Sequence, residues 1–241
     1  MQKSQNCKML IYIDVQTTGV ESYDKLCSVG VFNEESLFYE LVNEGKKIPP
    51  LASSFHHITN EMIQDKPAFQ DTQIYDFLMH NNDPTNTLVA HNIKFVLQKL
   101  RASGLKWQGD TIDTCRVTKH LIKECEIFSL AFLRYELKLY KDENAMQQRY
   151  GIKDALCQYK SLENALVTKL LFAHLLEYTS VSQMKTLSCK QVLLDKFTFG
   201  KYMGKHIEEI VQNDRNYVTW MLHLEDLDED LKYSLEYYMR G

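Results

Sequence analysis

No stretch of the 241-residue chain reaches the roughly 18 consecutive apolar residues of a membrane-spanning helix, which excludes helical membrane proteins. Met1-Gln2-Lys3-Ser4-Gln5-Asn6 holds no apolar core of the secretory kind, so a soluble, cytoplasmic protein is expected. The six cysteines, Cys7, Cys27, Cys115, Cys125, Cys157 and Cys189, form no Cys-x-x-Cys pair and no zinc-finger spacing. Reduced, mostly packed thiols are the expectation. Basic excess is missing too: 28 Lys and Arg against 32 Asp and Glu give a net charge of −4. A polyanion could be held only by a local cluster. Neither internal repeats nor low-complexity tracts interrupt the chain.

With 44% hydrophobic residues, the chain is long enough for one sizeable core and a small appendage. Leu10-Ile11-Tyr12-Ile13-Asp14-Val15-Gln16-Thr17-Thr18-Gly19 reads as a buried strand carrying an acid. Leu26–Phe32 and Ser36–Val42 predict two further strands in an antiparallel meander. Helical stretches follow over Ser53–His57, Asn60–Asp65 and Thr72–His80. Short strands at Thr87–Ala90 and Thr111–Thr114 alternate with helices over Ile93–Ser103 and to Leu121, then over Ser129–Leu137 and Ile152–Tyr178. This order predicts a mixed α/β sheet flanked by helices. The polar Thr179–Gln183 marks a boundary: a main domain over 1–180, a linker over 181–189 and a small α+β module over 190–241, with Met184–Leu194 read as a short amphipathic helix or bridging segment. In the module, residues 197–205 suggest a hairpin, followed by helices at Ile207–Val211, Tyr217–His223 and Asp230–Met239.

Side chains two apart on a strand share a face, so Asp14 and Gln16 point to one spot. Asp14-x-Gln16-Thr17-Thr18-Gly19, then His91-Asn92-x-x-Phe95-Val96, then Arg149 and Asp154 resemble in order the motifs of DnaQ-like 3′–5′ exonucleases. Those read Asp-x-Glu-Thr-Thr-Gly, His-Asn-x-x-Phe-Asp and His-x4-Asp. Pro50–Pro67 and Phe197-Thr198-Phe199-Gly200-Lys201-Tyr202 with Gly204-Lys205, Tyr217 and Trp220 are similar to the exodeoxyribonuclease X family within that superfamily. The resemblance runs over nearly the whole chain. It implies a ribonuclease-H-like exonuclease fold, magnesium or manganese as cofactor, and action on DNA 3′ ends.

The same motifs carry three departures: Gln16 for glutamate, Val96 for aspartate and Arg149 for the histidine base. Two-metal hydrolysis needs converging carboxylates on a pair of ions. An amide carries no charge, valine cannot ligate, and arginine cannot accept a proton near neutral pH. Of the catalytic positions only Asp14 and Asp154 keep the family chemistry, and weak or absent metal binding is expected there. Thr17, Thr18, Gly19, His57, His91, Asn92 and Phe95 are the candidate substrate-binding residues. His91 and Asn92 serve equally as braces of the strand-to-helix turn, and Phe95 as core. Arg149 is expected either close to Asp14 or Asp154, as a fixed cation in place of a metal, or turned to solvent without an ion pair there.

Three readings follow. The chain binds single-stranded DNA or DNA 3′ ends with hydrolysis lost or severely weakened; it is an active metal-dependent exonuclease; or it is a protein-interaction scaffold with a replication or repair partner.

Overall fold

The computed structural model describes residues 9–125, 127–152, 160–197 and 199–240. Asp154, Lys153, Cys157, Thr198 and the amino-terminal Met1–Asn6 segment lie outside them. So does the start of the helix expected from Ile152. The chain divides into two compact units, Met1–Ser188 and Cys189–Gly241.

The first unit is built on a five-stranded sheet. β1 (Leu10–Thr17), β2 (Leu26–Phe32) and β3 (Leu37–Leu41) form the antiparallel meander. β4 (Thr87–Ala90) and β5 (Asp110–Asp113) add in parallel on the far side of β1, in the order β3-β2-β1-β4-β5. Its helices are α1 (Pro50–His56), α2 (Asn60–Ile63), α3 (Gln73–His80), α4 (Ile93–Ala102), α5 (Thr114–Leu121), α6 (Leu130–Glu136), α7 (Glu143–Arg149), α8 (Lys160–Leu175) and α9 (Val181–Cys189). Strand alternation splits the core in two. Ile11, Ile13 and Val15 join Ile74, Leu78, Val96 and Leu100 of α3 and α4, whereas Tyr12 joins Leu166, Leu170 and Phe172 of α8. Asp14 and Gln16, in phase with Tyr12, are therefore directed to the α8 side.

Gly30 decides how closely α8 approaches. It pairs with Asp14 across β1 and β2, and a Cβ there would sit 2.3 Å from the Leu162 backbone nitrogen. The Ser28 and Ser161 hydroxyls meet at 2.5 Å beside it. The missing side chain at Gly30 thus seats the first turns of α8 directly over the polar end of β1.

Two elements depart from the sequence expectation. Residues 181–189, expected as a linker with a short helix or bridging segment from Met184, form α9 from Val181 onward, because Met184 and Leu187, three apart, bury in the α8 core and Ser188 Oγ accepts from the Asp113 backbone N–H at 2.8 Å. α7 had no counterpart in the sequence reading: it buries no residue and is tethered instead by the Arg134–Glu143 ion pair.

The second unit packs α10 (Ile207–Asn213), α11 (Arg215–Leu222) and α12 (Glu229–Arg240) around Phe197, Ile210, Val218, Met221 and Leu235. Among the described residues one bridge, Lys196 to His206, stands where a hairpin was expected. Gly200 and Gly204, at φ of +78° and +80°, fold the intervening residues into tight turns, so Gly204 N–H donates to the Phe197 carbonyl at 2.8 Å. Among the described residues no helix is long and apolar enough to cross a membrane. Cys27, Cys115, Cys125 and Cys189 are thiols, not disulfides.

Candidate active site at the end of the first strand

Asp14 and Gln16 meet as the strand period requires: the Gln16 amide donates to Asp14 Oδ2 at 2.6 Å. The Asn164 amide, one turn beyond Ser161 on α8, donates to the same oxygen at 3.3 Å. Burial pushes the Asp14 pKa up from 3.8 to about 7, and the two amides and the Lys160 charge hold it from going higher. Neither Asn164 nor Lys160 was picked out from the sequence. Asn164 lies 150 residues from Asp14, and only the close seat of α8 joins them.

Val96 is 2% exposed and belongs to the apolar cluster of Ile13 and Val15. Arg149 pairs with an acid other than Asp14, and Asp154 lies outside the described residues. The Arg149 guanidinium pairs with Glu34 at 2.5 Å, at the turn between β2 and β3, and it is largely exposed. Lys169 also reaches Glu34 and sits over the rings of Tyr12, Phe32 and Tyr150. Arg149 is therefore bound by Glu34, and among the described residues Lys160 is the cation that acts on Asp14.

The Thr17-Thr18-Gly19 segment is tied into its own loop. Thr17 Oγ1 donates to the Gly19 carbonyl at 2.6 Å, and Thr18 Oγ1 donates to Asp24 Oδ1 at 3.0 Å. A Cβ at Gly19 would fall 2.4 Å from the Asp24 carboxylate, so the glycine makes room for that acid. Burial works to raise the Asp24 pKa. Hydrogen bonds from Lys46 at 2.6 Å, the Glu21 N–H and Thr18 outweigh it and hold the carboxyl below its usual range. Lys99, 1% exposed on α4, donates to the Asp24 carbonyl at 3.0 Å and to the Glu21 carbonyl. A loop-pinning cation of this kind has no local sequence signal.

His91 is clamped, its Nε2 donating to the Phe128 carbonyl at 2.7 Å and its Nδ1 facing the Thr114 hydroxyl at 3.0 Å. Burial lowers its pKa, outweighing the Phe128 bond and the Asp113 charge, which favours neutral imidazole. Asn92 takes a left-handed φ of 70° as the residue before α4 and keeps its side chain exposed. Asp113 makes that turn possible: its carboxylate accepts from Asn92 and Ile93 at the start of α4 and from Cys115 and Arg116 at the start of α5. The signal for it was an acid directly before a helix. Phe95 is half-buried, 5.2 Å from the Lys99 ammonium. His57 is exposed with φ of 61°, while its neighbour His56 is buried against Cys27 and the Thr17 backbone.

Magnesium and manganese require oxygen donors in strict geometry. Around Asp14 the described neighbours present two amide N–H groups to one oxygen and an ammonium charge nearby, and Val96 has no donor atom. Among the described residues no three His, Cys, Asp or Glu converge as a metal centre. The described residues do not by themselves make a two-ion site; Asp154, the other acid of the motifs, lies outside them.

Comparison with known proteins places this geometry. The Exonuclease family model matches residues 11–160 and the Exodeoxyribonuclease X-like C-terminal model matches residues 197–225. Exodeoxyribonuclease 10 of Escherichia coli K12 is 25% identical over 239 residues, covering 97% of this chain and all of the relative. The 3′-5′ exonuclease DinG of Bacillus subtilis is 24% identical over 201 residues, 76% of this chain but 20% of that protein. A solved exonuclease X, in complex with 5′ overhanging duplex DNA, superposes with a TM-score of 0.55 at 21% identity over 75% of this chain and 99% of that one. Exonuclease family members generally use divalent metal ions. A mixed sheet flanked by helices and two family matches in sequence order lead to one assignment: the chain belongs to the DnaQ-like exonuclease family, with an exodeoxyribonuclease X-like carboxyl-terminal module.

Proposed function

We propose that this protein binds DNA 3′ ends and that its phosphodiester hydrolysis is lost or severely weakened. One observation carries the reading: the Gln16 amide donates to the carboxylate that should hold metal, at 2.6 Å, where a glutamate would add a second anionic ligand. Asp14, pushed up to about 7, is only partly ionised near neutral pH, which further weakens its pull on a cation. Val96 adds no ligand, and Arg149, bound to Glu34, offers no base. Binding of an end is supported by the relationship to exodeoxyribonuclease 10 and by a related exonuclease X having been solved with DNA. His57 after α1 and Asn92 before α4, both exposed, are the side chains we assign to contact the DNA strand.

The full-length 25% identity to exodeoxyribonuclease 10 favours a second reading, an active metal-dependent 3′–5′ exonuclease. A 3′-labelled oligonucleotide incubated with manganese separates the two. Binding that falls with salt, without label release, supports the end-binder, because phosphate contacts release counterions. Label release abolished by Asp14→Ala would establish the enzyme instead.

A further inference from the structure

The second unit carries an aromatic and lysine surface that the site at β1 does not use. Phe197, buried at 1% exposure, begins a ladder of rings that climbs outward. Its centroid lies 6.3 Å from Tyr202 and 6.1 Å from Tyr217; Tyr202 and Tyr217 are 5.0 Å apart, and Tyr217 is 5.6 Å from Trp220. The inner rings fix the outer one. Trp220 ends the ladder 56% exposed on α11, and Phe199 beside the turn is 44% exposed. A tryptophan held rigid from behind and open in front has already lost the rotamer freedom that binding would otherwise remove.

The charge of this surface departs from that of the chain. Residues 196–206 contain Lys196, Lys201 and Lys205 and no acid, although the whole chain carries −4. The Lys201 ammonium stands 4.6 Å from the Tyr202 centroid and 5.8 Å from that of Tyr217, and it pairs at 3.0 Å with Asp214, whose carboxylate is also held by the Tyr202 hydroxyl at 2.6 Å and by the Tyr217 N–H at the start of α11. Exposed pairs of this type are worth little and yield readily to a phosphate. Gly200 lets the turn close against the ladder, since a Cβ there would sit 2.8 Å from the Tyr217 hydroxyl. Flat rings beside mobile cations suit a polymer with unpaired bases and a phosphate backbone. A purely apolar partner would leave the lysines desolvated and unpaired.

We infer that Trp220, Phe199, Lys201 and Lys205 form a second, end-independent binding site for single-stranded nucleic acid on the carboxyl-terminal unit. The inference rests on the reading of the protein as a nucleic-acid binder but needs no 3′ end, and the test exploits that difference. Circular single-stranded DNA, which has no end, is titrated against the full chain while tryptophan emission is followed. The other tryptophan, Trp107, is 9% exposed and hydrogen-bonded to the Asp110 carbonyl, so quenching reports Trp220.

The circle is expected to quench the emission. Trp220→Ala should weaken its binding roughly 5- to 150-fold, the span of one lost base stack. Trp220→Phe should keep affinity near wild type while removing the quench. Lys201→Gln with Lys205→Gln should lower the salt slope of log affinity by about 1.4, for two single-strand phosphate contacts. Unquenched emission, or a salt slope indifferent to the lysine pair, would overturn the inference. If linear 3′ ends still bind in that case, the end-binding reading survives alone. If the circle quenches while a free and a blocked 3′ end bind equally, the end-binding reading fails and this site stands.

Discussion

Asp14→Asn should stabilise the protein above neutral pH, although it removes the one family acid in the described part of the site. The carboxyl's pKa is displaced from 3.8 to about 7, chiefly by burial, so ionising Asp14 opposes folding. At about 1.4 kcal/mol per pH unit, the displacement is worth at most ~4 kcal/mol. Solvent reaching the half-buried side chain reduces this to about 2–3 kcal/mol. The sign follows from linkage: a folded-state pKa raised above the unfolded value gives stability that is full below about pH 4 and lost as pH rises through about 7. Asparagine keeps an oxygen for the Gln16 and Asn164 amides and has no proton to lose. Urea unfolding of both proteins in chelator, from about pH 5 to about pH 8.5, should give curves that diverge, with the variant ahead by about 2 kcal/mol at the alkaline end. A variant equal to or weaker than wild type there would show that the carboxylate is stabilised in place, as in a site prepared for a cation.

Lys99→Met should lower the melting temperature by about 4–8 °C, for a net loss of ~2 kcal/mol once two charge-assisted bonds are weighed against desolvation of a buried ammonium. Calorimetric melting checks it, and an unshifted midpoint would free the Thr18–Lys25 loop from dependence on that cation. Gly30→Ala should cost about 3 kcal/mol or more, because the new carbon would meet Leu162 backbone rather than a flexible side chain. Circular-dichroism melts measure the loss, and a neutral effect would mean α8 does not sit tightly over β1.

What the sequence disclosed depended on how local each determinant is. β-branched apolar runs at Ile11–Val15, Val29–Val31 and Leu88–Val89 bury in the sheet, so the strands and the pairing of Asp14 with Gln16 were legible from alternation alone. α7 was not, because a helix with no buried residue has no apolar stripe to read. The start of α9 looked like a linker because Thr179–Gln183 is polar, while Val181, Met184 and Leu187, which pack on the core, are spaced too sparsely to mark the whole helix. The acid that Arg149 meets was not legible through distance: Glu34 is 115 residues away and is brought near by the meander. The same holds for Lys99, whose partners Glu21 and Asp24 lie 78 and 75 residues earlier. Thr17 and Thr18 stand where the motif predicts, yet their hydroxyls serve the Asp24 loop, a use that only the fold reveals.

Titration calorimetry of the protein with manganese, at about pH 7.5 where Asp14 is largely ionised, addresses the absent anionic cage directly. Weak or undetectable heat, unchanged by Asp14→Ala, is the result this account predicts. Tight uptake of two ions, lost in that variant, would contradict it.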